Sequence, residues 1–141
     1  MLKNIPSILT PELLKILKEM GHGDEIVISD GNFPAASHTN RLIRCDGHNV
    51  PNLLDAILTL FPLDRFVEFP VALMSVGPDD PEPPIWAKYR EIIKKHEPVN
   101  NGIENEERFA FYDRTKKAYA IVATGETSLY ANVILKKGVI E

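Results

Sequence analysis

A histidine between two glycines, in Gly21-His22-Gly23, is the side chain best suited by type and place to acid/base chemistry. Glycines give a neighbouring side chain little cover, and the segment falls at a predicted helix-to-strand turn, where α/β folds often bind ligands. Histidine ordinarily has a pKa of about 6.5, so it can donate or accept a proton near neutral pH. The pattern predicts a general acid/base at His22, and a plain surface turn is the alternative.

A carboxylate follows the apolar run after this turn. Asp30 stands just past the predicted strand 26–29 and beside Gly31. It could accept hydrogen bonds from two hydroxyl groups of a polyol, or it could close the strand in an Asx turn. Because His22 and Asp30 flank one strand, they could form one site or lie at opposite ends of that strand. The spacing leaves both arrangements open.

Other site chemistries lack their residue patterns. The four histidines, at positions 22, 38, 48 and 96, show no paired helical spacing, and Cys45 has no second thiol. We therefore predict no metal site. The chain also has no glycine-rich phosphate-binding pattern and no Gly-x-Ser-x-Gly motif, which argues against a nucleotide-binding loop and a serine hydrolase.

Length and charge bound the class of protein. The 141 residues, 44% hydrophobic and 26% charged, predict one globular domain spanning 1–141. With 20 acidic against 16 basic residues and no basic stripe, nucleic acid is not an expected partner. The single Cys45 cannot form a bridge within the chain, which predicts a reducing cytoplasm. The sequence shows no signal-like segment and no long apolar run, so a membrane is not an expected partner.

Helical and strand patterns alternate along the chain. Helical spacing of apolar residues predicts helices at 11–20, 50–61 and 85–96. Apolar or alternating runs predict strands at 25–29, 41–45, 66–76, 108–112, 118–124 and 130–136. Residues 113–117 would join two of these strands in a hairpin, and the polar segment 100–107 is predicted to be a loop. The mixture predicts an α/β fold in one layered domain.

Short motifs in a fixed order carry a family resemblance. They are Gly-His-Gly-Asp-Glu at 21–25, Ser-Asp at 29–30, Phe-Pro at 33–34, Arg-Phe-Ala-Phe-Tyr at 108–112, Thr-Gly-Glu at 124–126, Tyr-Ala-Asn at 130–132 and Leu-Lys-Lys-Gly at 135–138. As a set, they resemble the L-fucose mutarotase and D-ribose pyranase family. Arg108 with its aromatic neighbours looks like the fucose branch, since the ribose branch has histidine there. The resemblance implies a mixed β-sheet with helices packed on it.

The resemblance also implies a reaction and its residues. By this likeness, His22 is the catalytic acid/base, and Asp30, Arg108, Tyr130 and Asn132 contact a monosaccharide. The sugar ring would open to the aldehyde and close on its other face, which exchanges the α and β anomers. No redox change or group transfer occurs, so no cofactor is implied.

An assembly and several alternatives accompany this hypothesis. The resemblance implies a homo-oligomer, a ring-like decamer with its sites near subunit boundaries. Apolar residues in 66–76 and the aromatic side chains of Phe109, Phe111 and Tyr112 fit an interface, although core packing explains them too. The alternatives are a D-ribose pyranase that exchanges pyranose and furanose forms, a non-catalytic sugar-binding or transport-accessory protein, and a structural subunit.

Overall fold

A single mixed sheet with helices on both faces organises the chain. The computed structural model describes all residues from Met1 to Glu141, with four helices and six strands. In chain order they are α1 (Pro11–Glu19), β1 (Glu25–Ser29), β2 (Leu42–Cys45), α2 (Val50–Leu58), β3 (Val71–Met74), α3 (Pro84–His96), β4 (Ile103–Glu106), α4 (Arg108–Lys117), β5 (Ala120–Thr124) and β6 (Val133–Lys136). The predicted α/β class and layered mixed sheet are confirmed.

The first two helices begin where side chains cap them. The Thr10 hydroxyl accepts a hydrogen bond from the Leu13 amide at 3.1 Å, and proline occupies the first helical position of α1. The Asn49 side chain accepts from the Asn52 amide at 2.9 Å at the start of α2. These local signals explain why sequence reasoning found both helices. In the structure α2 ends at Leu58, earlier than predicted.

The sheet order is β2-β5-β1-β6-β3-β4. Strand β1 is parallel to β5 and antiparallel to β6, and β3 is antiparallel to β6 and parallel to β4. The carboxyl ends of β1, β3 and β5 therefore lie side by side, at the end of the sheet that we call its carboxyl edge. Because β6 alone runs the other way, its beginning lies at that same edge.

Alternate strand residues fill two cores on opposite faces. Ile26 and Ile28 belong to the larger core, which α1, α2 and α3 cover, whereas Val27 belongs to a smaller core against α4. This alternation follows from the two-residue period of a strand. The site edge is thus supported by α3 from one face and by α4 from the other.

The predicted hairpin at 108–124 is wrong. Residues Arg108–Lys117 form α4 instead of a strand and turn. The aromatic residues at 109–112 favour a strand by propensity, but the Glu107 carboxylate accepts from the Phe109 and Ala110 amides and caps a helix. Phe111 and Thr115, four positions apart, are the two residues of this helix that are buried against the sheet.

Three other segments differ from the sequence prediction. Residues Ile103–Glu106, predicted to be a loop, form the edge strand β4, where Arg114 forms ion pairs with Glu104 and Glu106. Of the run 66–76, Val71–Met74 forms the strand β3. β6 begins at Val133 rather than at Tyr130, whose left-handed backbone lies outside the strand.

None of the helices combines the length and the apolar character that crossing a membrane would require.

Candidate functional site

A small pocket lies at the sheet edge where the carboxyl ends of the parallel strands meet. Its volume is about 230 Å³, and it is lined by Asp30, Asn32, Phe33, Met74, Arg108, Tyr112, Leu129, Tyr130 and Asn132. Four of the five residues that the sequence analysis selected are therefore together. They come from the ends of β1 and α4 and from the segment before β6. The fifth, His22, is not among them.

The polar floor of the pocket is a buried carboxylate–amide pair. The Asp30 backbone N–H donates to Asn132 Oδ1 at 2.8 Å, and the Asn32 amide donates to Asp30 Oδ1 at 3.0 Å. Both side chains are more than nine-tenths buried. Asp30 thus forms the Asx turn that the sequence allowed, and it also faces the pocket. The Asn132 oxygen is engaged and its side chain also hydrogen-bonds the Asp30 carboxyl, so a second N–H of its NH₂ group is the part that can donate to a ligand.

The buried position of Asp30 changes its acidity. Burial raises the pKa of the carboxyl above its ordinary value, and hydrogen bonds from the Asn32, Ala131 and Phe33 amides and from the Asn132 side chain offset only part of that rise. A carboxyl in this setting gains from a ligand that donates hydrogen bonds to it.

We expect wild-type protein to lose stability relative to an Asp30→Asn variant as the pH rises from about 3.9, the ordinary aspartate pKa. An acid whose pKa is higher in the folded than in the unfolded protein stabilises the fold at low pH, and this contribution is lost as the pH rises through the folded-state pKa. Asparagine has no such dependence. Urea unfolding of both proteins from about pH 3 to about pH 8 would measure the difference. A difference that moves in favour of wild type with rising pH would contradict this expectation.

Arg108 stands at the mouth of the pocket, on the first residue of α4. Its Nε donates to the Tyr112 hydroxyl at 3.3 Å, and its guanidinium lies 5.5 Å from the centre of the Tyr112 ring. The two terminal guanidinium nitrogens donate no hydrogen bond within the chain. They are therefore available to a ligand, and they can only donate.

One wall of the pocket is apolar. Met74 is buried at the end of β3, and the Phe33 and Tyr112 rings meet edge-to-face with centroids 5.4 Å apart. Leu129 is exposed at the rim. A ligand in this pocket would meet hydrogen-bonding groups on one side and carbon on the other.

Tyr130 separates this pocket from a wider cleft of about 730 Å³ that also includes Leu129. The wider cleft is bordered by the proline-rich segment 80–84 and by 125–128. The Tyr130 hydroxyl lies 3.4 Å from Asp80 Oδ2 across it. The smaller pocket is the better candidate site, because the wider cleft has no converging buried polar groups apart from Glu126, whose carboxylate is already bound by the Val50 and Ser128 amides.

His22 lies at the opposite edge of the sheet. Five residue steps along β1, from Glu25 to Asp30, advance about 17 Å at about 3.3 Å per residue. Gly23, whose φ of 86° suits glycine, turns the chain into β1. The structure therefore selects the second of the two arrangements that the spacing left open: within one chain, His22 and Asp30 are at opposite ends of the strand.

A buried carboxylate that sequence reasoning missed holds His22. The imidazole Nε2 lies 3.1 Å from Asp64 Oδ1, and the ring is 5.6 Å from the Phe66 ring. Burial alone would raise the pKa of Asp64, but hydrogen bonds from the Phe66 amide and His22 outweigh it and hold this pKa below its ordinary value. Asp64 lies 42 residues from His22 in an irregular segment, so no local pattern pointed to it.

No group of three or more histidine, cysteine, aspartate or glutamate side chains is arranged to hold a metal ion. The pocket combines a carboxylate, two amides, a guanidinium and two phenols with one apolar wall. Such an array matches several hydroxyl groups on a small, partly apolar ring compound. The fold defines a small α/β protein, and its candidate site at the carboxyl ends of the parallel strands has groups suited to a polyhydroxyl ligand.

Comparison with known proteins makes the class specific. Residues 3–140 match the RbsD / FucU transport protein family, and the chain belongs to that family. The resemblance inferred from the sequence motifs is thereby confirmed.

Individual relatives cover the whole chain. It is 57% identical to the fucose mutarotase of Streptococcus pneumoniae, solved in complex with L-fucose, with a TM-score of 0.95 over 99% of this chain and 100% of that one. It is 50% identical to the fucose mutarotase of Homo sapiens, over 99% of this chain and 94% of the relative. Bacillus subtilis RbsD, complexed with D-ribose, shares the fold at 24% identity, with a TM-score of 0.72 over the full length of both chains.

Proposed function

We propose that this protein is a mutarotase, an isomerase that interconverts the α and β anomers of L-fucose. The observation that carries the proposal is the pocket in which Asp30, Arg108, Tyr130 and Asn132 converge. Its occurrence on a chain 57% identical to a fucose mutarotase solved with L-fucose supports the choice of sugar. The apolar wall also fits this sugar, because L-fucose is a 6-deoxy sugar with a methyl group where D-galactose has a hydroxymethyl group.

The reaction is a pair of proton transfers around one bond cleavage. The anomeric hydroxyl loses its proton, the bond between the anomeric carbon and the ring oxygen breaks, and the ring oxygen gains a proton. The aldehyde carbon rotates, and the reverse steps close the ring on its other face. Nothing is oxidised or transferred, so the pocket needs hydrogen-bonding groups and one acid/base group but no cofactor.

The pocket groups suit the binding part of this work. Asp30 accepts hydrogen bonds from sugar hydroxyls, whereas the Asn132 NH₂ and the Arg108 guanidinium donate to them. Tyr130 borders the sugar with its ring and hydroxyl. Arg108 and Asn132 are not suited to the proton transfers, since arginine cannot release its proton usefully and a side-chain amide does not exchange protons readily near neutral pH, and one Asp30 oxygen already accepts a hydrogen bond at the floor of the pocket.

We infer that His22 performs the proton transfers in a pocket of a neighbouring copy. Within one chain the length of β1, about 17 Å from Glu25 to Asp30, separates it from Asp30, so both cannot touch the same sugar. The ionised Asp64 accepts a hydrogen bond from Nε2, which fixes the ring and leaves Nδ1 to exchange protons with the sugar. Nearly half of the His22 side chain is exposed, as a group that acts on another copy must be.

Two exposed apolar patches support this arrangement. Phe66, 64% exposed, lies against His22. Leu129 lines the pocket, Phe109 packs against the pocket residue Tyr112, and both are 66% exposed. A contact that joins patches at opposite ends of the strands is head-to-tail, and repeated contacts of this kind form a ring when the rotation between copies closes. We propose a ring-like homo-oligomer, and the decamer implied by the resemblance is the form that we expect.

Light scattering at micromolar concentration should therefore give a mass many times that of the 15.8 kDa chain. Burying Phe66 and Leu129 drives the association, so a Phe66→Asp, Leu129→Asp double variant should run as a smaller species. A wild-type mass near that of one chain would refute both the ring and the proposed role of His22.

Anomer-exchange NMR tests the function directly. Exchange rates should be measured on L-fucose, D-ribose, D-galactose and L-rhamnose, with protein-free buffer as the reference. We expect the largest acceleration for L-fucose. Acceleration of pyranose–furanose exchange on D-ribose alone would favour the pyranase alternative. Sugar binding with exchange at the buffer rate would favour a binding or transport-accessory protein.

Arg108→His should lower exchange on L-fucose more than exchange on D-ribose. The guanidinium donates several hydrogen bonds, whereas a neutral imidazole donates one and accepts one. The comparison needs kcat/KM for both sugars in both proteins. Arg90→His is the matched control, since Arg90 is an exposed arginine paired with Glu82 and it does not line this pocket. Equal losses on the two sugars would mean that Arg108 does not set the preference.

We also propose that the protein acts in the cytoplasm. Its one thiol, Cys45, is free and buried, and such a cysteine is at home in a reducing compartment.

A further inference from the structure

Tyr130 has an unusual backbone for its residue type. Its φ is +55°, in the left-handed region, and the one other non-glycine residue with positive φ is Asn4. Asparagine adopts this conformation readily, but an aromatic residue does so only when its surroundings hold it there. At Tyr130 the chain leaves the wider cleft and turns toward the start of β6. The residue lines both the cleft and the smaller pocket, so it forms the boundary between them.

Two side chains of α3 donate hydrogen bonds to this turn. Trp86 Nε1 donates to the Tyr130 carbonyl at 2.8 Å, and the Tyr89 hydroxyl donates to the Ala131 carbonyl at 2.7 Å. Both residues belong to the larger core, Trp86 with 4% and Tyr89 with 0% of its surface exposed. Being three positions apart, they share one face of the helix, so they bind two consecutive carbonyls.

The clamped peptides lead directly to the floor of the pocket. Asn132, the next residue, accepts the Asp30 N–H through Oδ1. Trp86 and Tyr89 do not line the pocket, yet the turn that they hold carries both Tyr130 and Asn132. If either hydrogen bond were lost, the turn could relax to an ordinary negative φ, and both side chains would move.

We propose that Trp86 and Tyr89 are positioning residues for the sugar site: their two hydrogen bonds hold the Tyr130–Ala131 turn so that Tyr130 and Asn132 meet the sugar correctly. This inference rests on the proposed function. A purely structural role would use the same hydrogen bonds to stabilise the fold without affecting sugar recognition. The two roles differ in what happens to the site when the donor is removed and the ring is kept.

Tyr89→Phe is the cleanest test, because it removes one hydroxyl and keeps the ring. We expect kcat/KM for L-fucose exchange to fall by about tenfold or more, with weaker L-fucose binding by calorimetry. Trp86→Phe should act in the same direction. Thr115→Val is the matched control, since Thr115 is fully buried and also donates to a backbone carbonyl, that of Phe111, at 2.8 Å. It should lower stability and leave exchange unchanged.

A double-variant cycle separates positioning from general damage. If Tyr89 acts through the pocket side chains, Tyr89→Phe should cause little further loss in an Asn132→Ala background. Full additivity, or wild-type kcat/KM in Tyr89→Phe despite reduced stability, would overturn the proposal.

A measurement that needs no sugar tests the positioning role even if the proposed function is wrong. Hydrogen–deuterium exchange of segment 29–33 reports the Asp30 amide that Asn132 binds. It should accelerate in Tyr89→Phe more than in Thr115→Val. If wild-type protein did not accelerate anomer exchange, the mutarotase assignment would be refuted. If segment 29–33 were equally protected from hydrogen–deuterium exchange in the two variants, the positioning role of Trp86 and Tyr89 would be refuted.

Discussion

Replacing His22 by glutamine should lower the rate of L-fucose anomer exchange by about 10² or more, with a much smaller change in sugar binding. Glutamine can keep a hydrogen bond to Asp64, but it cannot take up and release protons at neutral pH. The loss should therefore fall on kcat, because the proton transfers occur in the transition state. Exchange NMR and calorimetry on the same preparation would separate the two quantities.

The control for this variant is His48→Gln. His48 is an exposed histidine that does not line the pocket, so its replacement should leave exchange unchanged. Wild-type exchange in His22→Gln, with normal L-fucose binding, would make His22 a turn residue with a structural hydrogen bond to Asp64. The acid/base of the reaction would then have to be found elsewhere.

Mixing two inactive variants should restore activity. We expect His22→Gln and Asp30→Ala each to be inactive, and oligomers assembled from equal amounts of both to recover about one quarter of wild-type exchange. In a head-to-tail contact, each site takes His22 from one copy and Asp30 from the next. The chance that both are intact is about one half times one half. Co-expression of differently tagged chains, followed by tandem purification, would supply the mixed oligomers.

The matched control mixes His22→Gln with Asp64→Asn. His22 and Asp64 are 3.1 Å apart in one chain, so every site receives this pair from a single copy. Each copy then has either His22 or Asp64 replaced, so no site in the mixed oligomer has both residues intact. The exchange rate of the mixture should not exceed that of Asp64→Asn alone. Absence of recovery with Asp30→Ala as well would contradict the arrangement of His22 in a neighbouring copy.

Local sequence signals were reliable where a few neighbouring residues determine the structure. Thr10 and Pro11 predicted the start of α1 because the cap and the first turn are formed by residues within four positions of each other. The apolar run at 26–28 predicted β1 because a strand buried on both faces has little choice of side chain. The family motifs likewise predicted Asp30, Arg108, Tyr130 and Asn132 as site residues, and all four line the pocket.

Segments whose structure depends on distant partners were not predictable in this way. The aromatic run after Arg108 has strand propensity, yet Glu107 caps a helix there and Phe111 packs it on the sheet. The acidic segment Ile103–Glu106 resembles a loop until pairing with β3 and the Arg114 ion pairs are known. In both segments tertiary contacts outweigh local propensity.

The sequence by itself determined which chemical groups the protein has and the local turns that present them. Only the tertiary structure decided which groups meet. Asp30 and Asn132 are 102 residues apart, and they share a hydrogen bond because the antiparallel β6 begins where β1 ends. The same strand β1 keeps His22 at the far edge of the sheet, next to Asp64. Strand order and direction arise from burial of side chains across the whole sheet, and no window of neighbouring residues contains that information.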